Sequence, residues 1–185
     1  ALGKALRSLE NGRAGLIADG KGERVETRED FDRLLGRPTQ DRVFHIAEAM
    51  KSGFSVDEIA EKTGIDKWFL NRMADIVAVE NNIEGHKLEE LDADSLLTIK
   101  QFGISDEQIA HLMGGNSKLV RTVRKILGVR PAFKTVDTCA AEFESKTAYH
   151  YKTYDAAESE VGAQKTKPRV MILGAGPNRI GQGIE

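Results

Sequence analysis

The residues with the strongest claim to chemistry stand at the C-terminal end. Arg169-Val170-Met171-Ile172-Leu173 is a buried-strand pattern running straight into Gly174-Ala175-Gly176-Pro177. A strand followed by G-x-G makes a tight turn and can present the amides of the next helix to an anionic group. The full dinucleotide fingerprint needs a glycine three positions after the second. Arg179 stands there instead, and the later glycines are Gly181 and Gly183, so the fingerprint is broken. An ordinary strand–turn–helix junction satisfies the same residues.

A second constellation competes for a function. Ser55-Val56-Asp57-Glu58, Gly64 and Asp66-Lys67-Trp68-Phe69-Leu70-Asn71-Arg72 have the texture of a DNA-binding helix-turn-helix. Two adjacent aromatics at the head of the second helix are poor readers of base edges, which call for Arg, Asn, Gln or Ser. The flanks carry Asp57, Glu58, Glu61, Asp75 and Glu80, which repel phosphate. Packing accounts for this segment better than DNA binding.

The remaining reactive side chains do not assemble. His45, His86, His111 and His150 are scattered, and none pairs with Cys, Asp or Glu at a convincing metal-ligand spacing. His45 and Glu48 sit three apart, which reads as a solvated helix face. Cys139, the single cysteine, lies among small residues in Thr138-Cys139-Ala140-Ala141 and reads as a buried packing thiol. Trp68 and Phe69 read as core or interface anchors. The helical body therefore offers no catalytic residue and no metal site.

The elements that position these residues are mostly helical. Leu2, Ala5, Leu6 and Leu9 form one stripe of an amphipathic helix. Residues 11–15 and 19–22 are turn material. A short helix covers Asp30 to Leu35 and ends before Pro38, after which Thr39 is placed to cap a helix bearing Val43, Ile46, Ala47 and Met50. Ser55 to Glu58 is a capping box, Gly64 ends that helix, and Asp66 caps the next, with Phe69, Leu70, Met73, Ile76 and Val77 as its buried stripe. The pattern then recurs at an offset of 50 residues. Gly53, Ile59, Gly64 and Asp66 meet Gly103, Ile109, Gly114 and Asn116, and the stripe meets Leu119, Val120, Val123, Ile126 and Leu127. Ser105 to Gln108 supplies a second capping box. Two related three-helix units follow from this.

Beyond Gly128 the texture changes. Residues 129–136 read as extended around Pro131, Thr147 to Tyr154 as a short strand, and Glu158 to Lys167 as a polar linker. The fold class is mainly α, with strands confined to the last third.

Composition fits this reading. The chain is 40% hydrophobic and 30% charged, the balance of a globular domain, with aromatics at only 6%, so Leu, Ile, Val, Met and Ala must make the core. A net charge of −2 gives no bulk attraction to nucleic acid or anionic membrane. No apolar run approaches bilayer length, and a lone thiol fits a reducing compartment, the cytoplasm. The start reads as mid-helix and the end falls just after a glycine turn, so a piece of a longer chain is expected.

Four stretches resemble the large chain of the carbamoyl-phosphate synthase family. They are Lys4-Ala5-Leu6-Arg7-Ser8-Leu9-Glu10, Ile65-Asp66-Lys67-Trp68-Phe69-Leu70, Val136-Asp137-Thr138-Cys139-Ala140-Ala141-Glu142-Phe143, and Gly174 through Glu185. They occur in the family's order. The resemblance implies the end of a first synthetase half at 1–12, a helical oligomerisation and connector domain at 13–157, a linker at 158–168, and the start of a second synthetase half, a pre-ATP-grasp unit, at 169–185. It implies a parent ligase making carbamoyl phosphate from bicarbonate, ATP and glutamine-derived ammonia, for arginine and pyrimidine synthesis. That parent would use ATP, magnesium or manganese and also potassium, all held outside this segment, which would be inactive alone. Gly174, Gly176, Arg179, Gly181 and Gly183 would form the turn of the second half, and Glu185 would line the internal passage for carbamate. Partners implied are copies of the chain, the flanking synthetase domains and a glutaminase small chain.

Overall fold

The computed structural model describes residues 1–9, 11–22, 25–162 and 170–171. In chain order these form α1 (Leu2–Ser8), α2 (Arg28–Gly36), α3 (Arg42–Lys51), α4 (Val56–Thr63), α5 (Lys67–Ile83), a 3-10 turn (Leu88–Glu90), α6 (Ala93–Gln101), α7 (Asp106–Met113), α8 (Ser117–Ile126), β1 (Ala132–Thr135) and β2 (His150–Thr153). Capping chemistry sets most of the helix starts. The Ser55 hydroxyl accepts from Glu58 N at 3.2 Å while Glu58 Oε2 accepts from Ser55 N at 2.8 Å. Ser105 and Gln108 repeat the exchange at 3.1 and 3.0 Å. Asp66 and Asn116 cap α5 and α8 by accepting from Trp68 N and Leu119 N. Each such bond satisfies an amide that the helix itself leaves free. Gly64 closes α4 at φ 70°, a left-handed conformation that a side chain would strain.

Thr39 does not cap α3. The chain makes a further turn over residues 39–41, Thr39 lends only its carbonyl to Arg42 N (3.2 Å), and Asp41 stands at the cap without a side-chain bond. The helix therefore starts later than the sequence suggests.

The repeat is visible in the architecture. Shifted by 50 residues, α4 coincides with α7, α5 and α8 start at the same place, and α3 overlies α6. Gly53 and Gly103, both at positive φ (91° and 85°), turn the chain from α3 toward α4 and from α6 toward α7. Ile46, Phe54, Ile59 and Leu70 are buried in one unit, and Leu96, Ile104, Ile109 and Val120 occupy the matching places in the other. Each unit has its own core. The first also takes in Leu6 of α1, Leu16, Ile17, and Phe31 and Leu35 of α2. The long α5 serves both, giving Leu70, Met73 and Val77 to the first core and Ile83 to the second.

Part of the expected stripe faces outward. Leu70, Met73 and Val77 are buried and Ile76 is half-buried, but Phe69 is 58% exposed. In the sister helix Val120 is buried, whereas Leu119 and Ile126 are exposed, Ile126 at 77%. The outward places fall at the edge of the stripe in both units, so the exposure repeats along with the fold.

The two C-terminal extended segments expected from the sequence form strands, and the structure pairs them. β1 and β2 run antiparallel, with Ala132 opposite Thr153 and Thr135 opposite His150. A two-stranded ribbon is marginal alone, and Ala132 anchors this one by its burial.

Candidate functional site

A buried polar joint couples the two units. Gln108 Oε1 accepts from Ser105 N, while its Nε2 donates to the Ile17 carbonyl and to Glu80 Oε1, each at 2.8 Å. One side chain thus caps α7, holds the N-terminal segment and ties α7 to α5. The end of the 11–15 turn and the two residues after it are drawn into the interior, with Ala14, Leu16 and Ile17 buried. A side chain at Gly15 would displace the Gln108 amide from these bonds, because a Cβ would lie 2.2 Å from Gln108 Oε1. Asp19 braces the loop by accepting from Arg13 Nε (2.8 Å) and Ala14 N (2.9 Å). Burial pushes the Asp19 carboxyl up, but these bonds outweigh it and hold it below the usual range.

Glu80 belongs to this joint and not to an acidic flank. It is 1% exposed, and Oε2 has no hydrogen-bond partner among the described residues. Burial raises its carboxyl to about 7 against the pull of Lys51, with help from Asp19, Glu48 and Glu84. A neutral acid suits a buried place that offers one donor. The expected solvated face of α3 is also corrected. His45 is buried, and Glu48 is raised chiefly by burial, with Lys51 opposing. The reason is that α3 lies between α2, α4 and α5 and is covered on several sides.

A second charged group lines a cavity of about 670 Å³ between α1, the α6–α7 junction, α8 and the end of β2. Asp106 accepts from Lys100 Nζ at 2.8 Å through one oxygen and from Arg124 Nη2 at 3.1 Å through the other. Burial raises the Asp106 carboxyl, but the two cations more than reverse this and leave it low. Lys100 is lowered by burial despite Asp106. Arg7 donates to Ala14 O and Gly103 O, and Lys4 to Lys152 O. The Tyr154 ring stands 5.6 Å from Lys100 Nζ and 5.8 Å from the Arg124 guanidinium carbon. No sequence signal short of the tertiary fold brings these residues together.

The outer surface carries large apolar side chains. Trp68 (63% exposed) and Phe69 stack edge to face at 5.0 Å between centroids. Phe133, Phe143, Tyr149 and Tyr151 are exposed on and around the β ribbon. Of the sequence expectations, Trp68 and Phe69 are therefore surface anchors and not core. Cys139 is half-buried and not a fully buried thiol. Gly174, Gly176, Arg179, Gly181, Gly183 and Glu185 lie outside the described residues. Among the described residues there is no group of three or more His, Cys, Asp and Glu able to hold a metal, and no helix is long and apolar enough to cross a membrane.

The helix-turn-helix segment is not equipped for DNA. At the head of α5, Lys67 is paired with Asp57 at 2.7 Å and Arg72 with Asp75 at 3.1 Å. Phosphate contact would have to break those pairs.

Twin helical units with separate cores, a shared helix and apolar side chains turned outward define a helical association module. Residues 1–128 match the family described as carbamoyl-phosphate synthetase large chain, oligomerisation domain, and the chain belongs to that family. The chain is 47% identical over 182 residues to the carbamoyl phosphate synthase large chain of Nostoc sp., covering 98% of this chain and 16% of that protein. It is 47% identical over 191 residues to the large chain of Mycobacterium sp. strain JLS, covering 100% and 17%. Against the large chain of Archaeoglobus fulgidus the identity is 47% over 189 residues, again covering 100% and 17%. The chain thus spans about a sixth of these curated relatives. Nothing in these similarities supports DNA binding.

Proposed function

We propose that this chain is the helical connector and oligomerisation segment of a carbamoyl-phosphate synthase large chain. The parent would make carbamoyl phosphate from bicarbonate, ATP and glutamine-derived ammonia in the cytoplasm. The observation that carries this reading is a match along 98–100% of the chain to one sixth of such large chains. It is joined by a described body whose buried polar groups serve the interior while Trp68, Phe69 and the aromatics around the β ribbon face outward.

In this reading residues 1–12 end the first synthetase half, 13–157 are the connector, 158–168 a linker, and 169–185 open the second half. Bond-making belongs to the parent's synthetase halves, which would supply ATP binding, magnesium or manganese, and potassium. Glu185 would line the carbamate passage, and Gly174, Gly176, Arg179, Gly181 and Gly183 would shape the turn before it. Partners would be further copies of the chain, the flanking synthetase domains and a glutaminase small chain.

Exposed aromatic area on a domain of this family supports self-association. Sedimentation velocity of the chain from micromolar to near-millimolar concentration tests it. A concentration-dependent shift to faster species is expected, and a strictly monomeric boundary throughout would overturn the reading. ATP hydrolysis by the chain alone, above a no-protein blank, would overturn it as well.

A further inference from the structure

The two units build the same fold, but at three matched positions they differ in kind. Met50, Val56 and Ala74 of the first unit correspond, 50 residues on, to Lys100, Asp106 and Arg124 of the second. The fold does not need charges at these places, since the first unit stands without them. Partly buried ions in place of apolar groups give up desolvation energy that their mutual pairing seldom restores. Their presence calls for a reason outside the packing.

That reason lies in the cavity they line. Lys4, Arg7, Lys100, Arg124 and Lys152 face it with only Asp106 and Asp155 to balance them, an excess of three positive charges in a chain whose net charge is −2. Both oxygens of Asp106 are already engaged by Lys100 and Arg124. Arg124 Nε is buried without an acceptor among the described residues. The Tyr154 ring supplies an apolar wall beside the cations. Unbalanced cations in a concave, partly desolvated place focus potential on whatever anion enters it.

We propose that this cavity is a binding site for a small polyvalent oxyanion, a phosphorylated or polycarboxylate metabolite, held by Lys4, Arg7, Lys152 and the Lys100–Arg124 pair. The bound anion joins three parts of the chain that are remote in sequence: α1, the second helical unit and the strand end at residues 151–155. Occupancy therefore stiffens the attachment of both ends of the connector to its body.

The test uses the whole 185-residue chain. Pyrophosphate and citrate are titrated separately by calorimetry, with ionic strength held constant by sodium chloride, and melting is followed alongside. Saturable binding of one or both is expected, with a rise in Tm; pyrophosphate alone points to a phosphoryl ligand and citrate alone to a polycarboxylate. Lys4 and Lys152 are exposed, so Lys4→Glu with Lys152→Glu still folds, as its own anion-free melt checks, but weakens binding by on the order of tenfold or more. Lys118→Glu, on an exposed face of α8 away from the cavity, leaves affinity as it was. If neither anion binds saturably to folded protein, or the double variant binds as tightly as the parent sequence, the cluster is only a clamp for Tyr154 and the proposal fails.

Discussion

Glu80→Gln gives a direct reading of the buried joint. In the folded chain the carboxyl is raised from 4.5 to about 7, mainly by burial. Below about pH 4.5 the acid is protonated whether the chain is folded or not. Between 4.5 and 7 the unfolded chain releases the proton and the folded chain keeps it, so stability falls as pH rises through that window. Above 7 the loss is complete and the curve flattens with respect to this group. A gap of that size corresponds to about 3 kcal/mol, at roughly 1.4 kcal/mol per unit. Glutamine keeps the shape, accepts from Gln108 and does not ionise. Urea unfolding of both proteins across pH 4.5 to 8 isolates the effect, since depressed acids such as Asp19 and Asp106 act on both alike and largely cancel in the difference. The two should be about equally stable near pH 4.5, with the variant ahead by up to about 3 kcal/mol at pH 8. A difference that stays flat across this range, or that grows toward acid, would refute the assignment of Glu80 as a buried acid.

The repeat makes two further predictions by substitution. Ser55→Ala and Ser105→Ala should each cost about 1 kcal/mol in urea unfolding, since each removes the acceptor for an N-terminal amide, and the double variant should show close to the sum. Leu70→Ala should cost about 2–5 kcal/mol while its neighbour Phe69→Ala costs about 1 or less, because one side chain is fully buried and the other is mostly exposed and keeps only its stack on Trp68.

Elements and caps were legible because they depend on local chemistry. The capping boxes at Ser55 and Ser105 and the glycine at position 64 mark their helix ends in any tertiary setting. The repeat was legible for the same reason, since both copies preserve these local signals. What escaped depended on neighbours. Residues 70, 73, 77 and 80 follow one helical stripe, so spacing alone could have placed Glu80 inside, but its charge argued for solvent. Phe69 invites the opposite error: its hydrophobicity suggests the core, while the helix turns it just off the covered stripe. His45 and Glu48 looked solvated because nothing local reveals that helices pack on several sides of α3. The cationic cavity was invisible, since it draws on residues from position 4 to position 152.

The span of α5 has a mechanical consequence. Its 17 residues make a rod about 25 Å long, at roughly 1.5 Å per residue. One end is gripped by Leu70 and Met73 and the other by Ile83, each within a different core. An unbroken helix resists bending, so whatever is bolted to one unit keeps a set distance and heading from whatever is bolted to the other. A push delivered at either end arrives at the far end as displacement, with little of it absorbed between.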